Sequence, residues 1–217
     1  MIDLAAARSF VMAANFHGGA EVVNYPWDHI YTLHVDDAWF QTVSHEYADN
    51  AQAVSPEGYM SGFDDGITNG AAWYVIDGGR QDFMNYYHGC REVTIEISDT
   101  KLIDSGQLDA HWTWNRQALL DYMKRSLTGI RGLVTDAVDG DPVAATVTVV
   151  GHDLASQRSW VYSDPDVGNY HRPIAAGTWD LEFSAWGYQT QQVSDVVLQD
   201  TGDAVIASPL LAPIPAS

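Results

Sequence analysis

The sequence predicts an α/β unit followed by an all-β unit. Upstream of about residue 128 lie long aromatic-rich segments with helical stretches. Downstream come short β-branched runs cut by Gly, Asp and Pro, a pattern of closely spaced strands. A chain of 217 residues with 46 % hydrophobic content has room for one large domain or two modest ones, each able to bury a core. The expected division is 1–128, 129–209 and a frayed tail at 210–217.

Residues 9–16 (SFVMAANF) form an apolar run of strand length that stops at Gly18-Gly19. Asp36 or Asp37 caps a helix reaching about Asn50, with Trp39, Phe40, Val43 and Tyr47 at helical spacing. Residues 91–97 (REVTIEI) alternate as a strand, with Val93, Ile95 and Ile97 on one face and Glu92, Thr94 and Glu96 on the other. From Leu108 to Leu127 the spacing predicts an amphipathic helix. Its buried stripe is Trp112, Leu119, Leu120, Met123 and Leu127, and Gly129 ends it. Beyond Gly129, GIRGLVTDAVDGDPVAATVTVV reads as two strands joined by an Asp-Gly-Asp-Pro turn. GTWDLEFSAWGYQTQQVSDVVL repeats the pattern, and the whole reads as a small sandwich.

Ten Lys and Arg against 29 Asp and Glu leave a formal charge of −19. That sign opposes a nucleic-acid groove and an anionic membrane surface. No stretch is long and apolar enough to span a bilayer, and residues 1–8 lack the basic-then-apolar pattern of a signal peptide. One cysteine, Cys90, excludes an internal disulfide and a cysteine-built zinc site; it is expected to be buried and inert.

Several residues have both a chemical and a structural reading. His17, at a strand end before two glycines, sits where open α/β sheets place ligands, yet taken alone a hydrogen-bonded loop histidine is the more frequent role of such a residue. Glu96 either points into a cleft as a general base or is wetted like Thr94. Tyr74 in GAAWYVIDGG and Asp28 in NYPWD read locally as a packing aromatic and a turn residue. In the sandwich, Trp160 and Trp179 alternate into strands and Trp186 stands beside Gly187. No polar constellation accompanies them, so a carbohydrate-binding reading rests on aromatic count alone.

In combination these segments do more. HGGAEVVNYPWD, then DGITNGAAWYVIDGGRQDFMNYYHGCREVTIEIS, then a helix and a sandwich, resembles the zinc metallocarboxypeptidases over about residues 9–198. The resemblance is to the carboxypeptidase N/E subfamily, whose catalytic domain precedes a transthyretin-like, carboxypeptidase regulatory-like sandwich. It implies that 1–128 is the C-terminal portion of a mixed-sheet catalytic domain. It further implies that His17 is a zinc ligand, Glu96 the base that takes a proton from zinc-bound water, and Tyr74 the residue closing over the substrate's last residue. Asp28 would select C-terminal Lys or Arg, with Gln81 at the base of the same pocket. The implied partners are peptide or protein C-termini, and the implied setting is secreted or periplasmic. Arg80, beside Gln81, would neutralise Asp28 if it turned inward.

The family's first two zinc ligands come from an HxxE motif well upstream of HGG, whereas 16 residues precede His17 here. Of the eight histidines only His34 has an acid three places on, Asp37, and there capping and solvation are the expected roles. The arginines that would hold the substrate carboxylate are also unmatched. The expectation is therefore the C-terminal portion of a longer precursor, inactive alone, with an open sheet edge available for pairing. The alternative is a non-catalytic binding module derived from a carboxypeptidase. Joint retention of His17, Asp28, Tyr74 and Glu96 argues against it.

Overall fold

In the computed structural model residues 2–215 are described, and they fall into two compact units, 12–125 and 126–215, the latter joined by 2–11. The elements up to the end of the first unit are α1 (Ile2–Ala7), β1 (Met12–His17), β2 (Ala20–Tyr25), α2 (Asp37–Gln52) and β3 (Ile67–Asn69). They continue with the single turn α3 (Gly70–Trp73), then α4 (Arg80–His88), β4 (Arg91–Ser98) and α5 (Leu108–Lys124).

The first unit is built on a mixed sheet of order β1-β4-β2-β3. β4 lies parallel to β1 and antiparallel to β2, and β2 lies parallel to β3. The alternation along β4 does not separate core from water, because Glu92, Thr94 and Glu96 are as buried as Val93 and Ile95. A central strand has protein on both faces, so its polar face is covered as well as its apolar one.

α2 begins where expected, but Asp36 makes no capping bond with its side chain. Its Oδ2 instead accepts from Arg91 Nε (3.1 Å) and Nη2 (2.7 Å), and Arg91 Nη1 donates to the Gly89 carbonyl. A lost cap costs about 1 kcal/mol, an unpaired buried guanidinium several. His34 is likewise buried, not solvated. Its ring packs on Trp27 and Phe40, and its Nδ1 accepts the Asp36 amide.

α5 is helical over the expected range with its phase rotated. Trp112, Leu120, Met123 and Leu127 are more than half exposed, while His111, Asn115, Ala118 and Tyr122 face inward. Hydrogen bonds decide the phase. Asn115 accepts from Tyr47 Oη and donates to Tyr59 Oη, and Tyr122 Oη donates to the Ala13 carbonyl across to β1. Burial of these polar groups is matched by hydrogen bonds, with Asn115 also donating to the His111 carbonyl and Tyr59 Oη to the Ile97 carbonyl. Cys90 is buried, and burial pushes its thiol up to about 12, which keeps it unreactive.

The second unit contains β5 (Gly129–Leu133), β6 (Thr135–Asp136), β7 (Thr146–Val149), β8 (Val161–Tyr162) and β9 (Asn169–Arg172). It ends with β10 (Gly177–Ser184), β11 (Gln191–Leu198), β12 (Ala204–Ile206) and β13 (Leu210–Leu211). A sheet of order β11-β10-β7-β8 and a smaller one of order β12-β5-β9 enclose one core of Ile130, Val147, Val149, Tyr170, Leu181 and Phe183. Residues from β10 onward do not fray at Pro209. β13 pairs with β6, Leu211 is fully buried, and the Ile214 amide donates to the Gly187 carbonyl. Residues 216 and 217 of the expected tail lie outside the described residues. Trp179 donates its indole N–H to the Ala175 carbonyl, Trp160 donates to Tyr162 Oη, and Trp186 stands 98 % exposed.

Candidate functional site

The polar face of β4 and the end of β1 form the floor of the site. His17 and Glu96 are register partners across the parallel pair, and their side chains approach to 3.9 Å between Nδ1 and Oε1. His17 is largely exposed, whereas Glu96 is buried with no hydrogen-bond partner at Oε2. Gly19 bends the chain over that carboxylate at φ +128°, and a Cβ there would sit 3.9 Å from Oε2. An unpartnered buried carboxylate oxygen facing an imidazole is a group placed to accept a proton.

Asp28 occupies a second position, in the loop after β2. That loop is held from two sides. The Trp27 and Asp28 carbonyls accept from the Ala71 and Ile76 amides, and the Asp82 carboxylate accepts from the Asp28 and His29 amides. The Asp28 side chain is buried and takes hydrogen bonds at Oδ1 from Asn24 Nδ2 (3.0 Å) and Gln81 Nε2 (3.1 Å). Burial pushes its carboxyl up to about 6; the Asn24 bond opposes the rise and the nearby Asp82 charge adds to it. Two neutral amides hold this carboxylate and, among the described residues, no Lys or Arg forms an ion pair with it; His29 and His17 are the nearby groups whose charge pulls its carboxyl down. Gly70 makes the arrangement possible, since a Cβ there would lie 1.8 Å from Asp28 Oδ1.

Arg80 does not turn toward Asp28. Its Nη1 donates to Asn15 Oδ1 (2.6 Å) and its Nη2 lies 3.0 Å from Glu92 Oε2. Asn15 in turn donates to the other Glu92 oxygen, and the Glu92 carboxylate is fully buried. Burial pushes it up to about 7, against the opposing pull of Arg80.

Tyr74 follows α3 and is half exposed on the segment 74–78, with its ring against Trp73. Its hydroxyl reaches none of the other four residues through a hydrogen bond in this arrangement. His17 with Glu96, and Asp28 with Gln81, are thus brought together as pairs, while Tyr74 stands at the rim. Sequence reasoning passed over Asn24, Gly70 and Asp82, which hold Asp28, and Asn15 and Glu92, which hold Arg80. Asn24 and Asp82 lie within the NYPWD and GGRQD segments already singled out, and Gly70 opens α3 as a glycine the local pattern does not explain. Among the described residues no three His, Cys, Asp or Glu side chains converge as a metal would need. The donor set of this chain therefore does not by itself fit a tetrahedral zinc ion.

A family model described as Zinc carboxypeptidase matches residues 1–118, and one described as Carboxypeptidase regulatory-like domain matches residues 129–210. Carboxypeptidase D of Drosophila melanogaster is 36 % identical over 225 residues, covering 99 % of this chain and 16 % of that protein. Carboxypeptidase D of Homo sapiens is 31 % identical, covering 92 % of this chain and 15 % of that protein. The carboxypeptidase N catalytic chain of Homo sapiens is 35 % identical, covering 87 % of this chain and 43 % of that protein. The chain thus spans less than half the length of each of these relatives.

Proposed function

This chain belongs to the zinc carboxypeptidase family, and we propose that it carries the specificity pocket and the proton-accepting carboxylate of an enzyme that removes a C-terminal Lys or Arg from peptides. One observation carries the reading. Asp28 is a buried carboxylate hydrogen-bonded only by neutral groups, so a cationic side chain entering beside it gains a desolvated ion pair that a neutral one does not.

Each residue then has a task. Asp28 receives the ammonium or guanidinium, and Gln81 orients Asp28 from the pocket base. Glu96 takes the proton of the attacking water at Oε2 and passes it to the departing amine. Tyr74, on its exposed segment, covers the bound residue and excludes water. A zinc ion, when bound, would supply an electrophile for the scissile carbonyl. His17 is assigned as one of its ligands, the others coming from polypeptide outside these residues. β1 lies at the edge of the sheet and α5 presents Trp112, Leu120 and Met123 outward, which supports the docking of such polypeptide there. The regulatory-like domain at 129–209 is assigned a supporting role, and a secreted or periplasmic setting is in keeping with the −19 charge.

The test is retention of immobilised peptides that end in Arg, Leu or Glu, together with an assay for release of the last residue. Selective retention of the Arg peptide without hydrolysis is expected of the isolated chain. Equal retention of all three overturns the pocket assignment. The absence of a three-donor cluster among the described residues favours a second reading, a module that binds peptide C-termini without cleaving them. Hydrolysis of the Arg peptide once the upstream half of a relative is supplied decides against it.

A further inference from the structure

We propose that Glu92 and Asn15 form a tether that keeps Arg80 out of the Asp28 pocket, leaving that pocket open to a ligand's cation. The inference rests on the pocket reading above and assigns it a further specificity-determining pair.

The chain places Arg80 between Gly79, whose missing side chain would point at Asp28, and Gln81, which hydrogen-bonds it. A Cβ on Gly79 would lie 3.3 Å from Asp28 Oδ2, and Gln81 Nε2 lies 3.1 Å from Oδ1. Consecutive Cα atoms are about 3.8 Å apart, so the long Arg80 side chain starts within reach of that carboxylate. Its side chain is 36 % exposed, so packing alone does not immobilise it. What directs it elsewhere is the pair of contacts to Asn15 and Glu92. Two buried carboxylates, Asp28 and Glu92, compete for one guanidinium. Glu92 prevails because Asn15, register partner of Thr94 on the neighbouring strand, accepts from Nη1 while Nη2 pairs with Glu92, so both terminal guanidinium nitrogens are held on that side. Asp28 offers the guanidinium no such fork, since Asn24 and Gln81 already point their amide donors at it.

The tether makes a prediction that a merely structural role does not. In Glu92→Gln the guanidinium loses its countercharge, swings to Asp28 and competes with the ligand. Removing Arg80 as well then reopens the pocket. NMR titration of the whole chain with L-arginine is expected to show binding to the wild type and a loss of roughly tenfold or more in Glu92→Gln, the scale of one charged hydrogen-bonded contact. Binding returns in Glu92→Gln/Arg80→Met. A crystal structure of Glu92→Gln is expected to place the guanidinium within about 4 Å of Asp28, the span of an ion pair. The proposal is overturned if Glu92→Gln leaves Arg80 away from Asp28, or if the double variant stays as weak as the single one. A wild type that does not bind arginine, with the guanidinium still moving in the crystal, sinks the pocket reading and leaves the tether standing.

Discussion

His17 and Glu96 face each other from adjacent parallel strands, 79 residues apart in the chain and 3.9 Å apart at their side-chain tips. Their juxtaposition is set by the register of β1 on β4, which also pairs Asn15 with Thr94 one step back on the same face. One pairing of two strands therefore sets both the His17–Glu96 approach and the position of Asn15 beside Arg80.

An imidazole and one carboxylate are too few donors for tight zinc. The purified chain, dialysed against micromolar zinc, is expected to retain well under one equivalent by elemental analysis. Near-stoichiometric, tightly held zinc that disappears in His17→Ala would show that His17 finds further ligands, and the assignment of outside ligands would fall.

Arginine binding is expected to follow the charge of Asp28. Burial raises its carboxyl to about 6, so affinity should be highest above pH 7 and fall as pH drops through about 6. Protonation of Glu92, raised to about 7, loosens the tether over the same interval and works in the same direction. Titrations from pH 5 to pH 8 test this, and Asp28→Asn should bind weakly at every pH. The linkage to stability has the opposite sign. A carboxyl with a raised folded pKa favours the folded state when protonated, so these two groups lower stability as pH rises through about 4 to 7. Asp28→Asn should flatten that slope in thermal melts.

Gly70→Ala places a Cβ against the Asp28 carboxylate and the Asn24 amide oxygen. The side chains can swing aside, so a cost of about 1–3 kcal/mol is expected, as for other overpacked sites. Arginine binding should fall more steeply than stability if, as proposed, the displaced group is the one that receives the cation. Unchanged affinity would show that Asp28 does not hold the ligand.

Asp36→Ala leaves Arg91 buried and without its carboxylate. A loss of about 3–5 kcal/mol is expected in urea unfolding followed by the tryptophans of 12–125, the range for breaking one side of a buried ion pair. A loss near 1 kcal/mol would return Asp36 to the role of a simple helix cap.

The two faces of α5 should respond in opposite ways. Trp112→Ala, on the exposed face, is expected to change stability by at most about 0.5 kcal/mol. Asn115→Ala leaves the buried hydroxyls of Tyr47 and Tyr59 without their shared partner and should cost about 1–3 kcal/mol. The reverse order would put the helix the other way round.

Composition change, turn residues and periodicity determined, from the sequence alone, an α/β part followed by a β-sandwich, and they located β4, α2 and α5 within a few residues. The ordered motifs likewise singled out His17, Asp28, Tyr74, Gln81 and Glu96. Local pattern carries this much because helix and strand are decided by neighbours in the chain. It could not set the phase of α5, where apolar and polar stripes share one period and long-range hydrogen bonds to Tyr47, Tyr59 and Ala13 select the polar one. Nor could it choose between Asp28 and Glu92 for Arg80, or between Arg91 and a helix end for Asp36. Those choices belong to tertiary structure. For the fully buried Arg91 guanidinium, the cost of going without Asp36 exceeds what a helix cap is worth, so the fold's long-range geometry overrides the local preference.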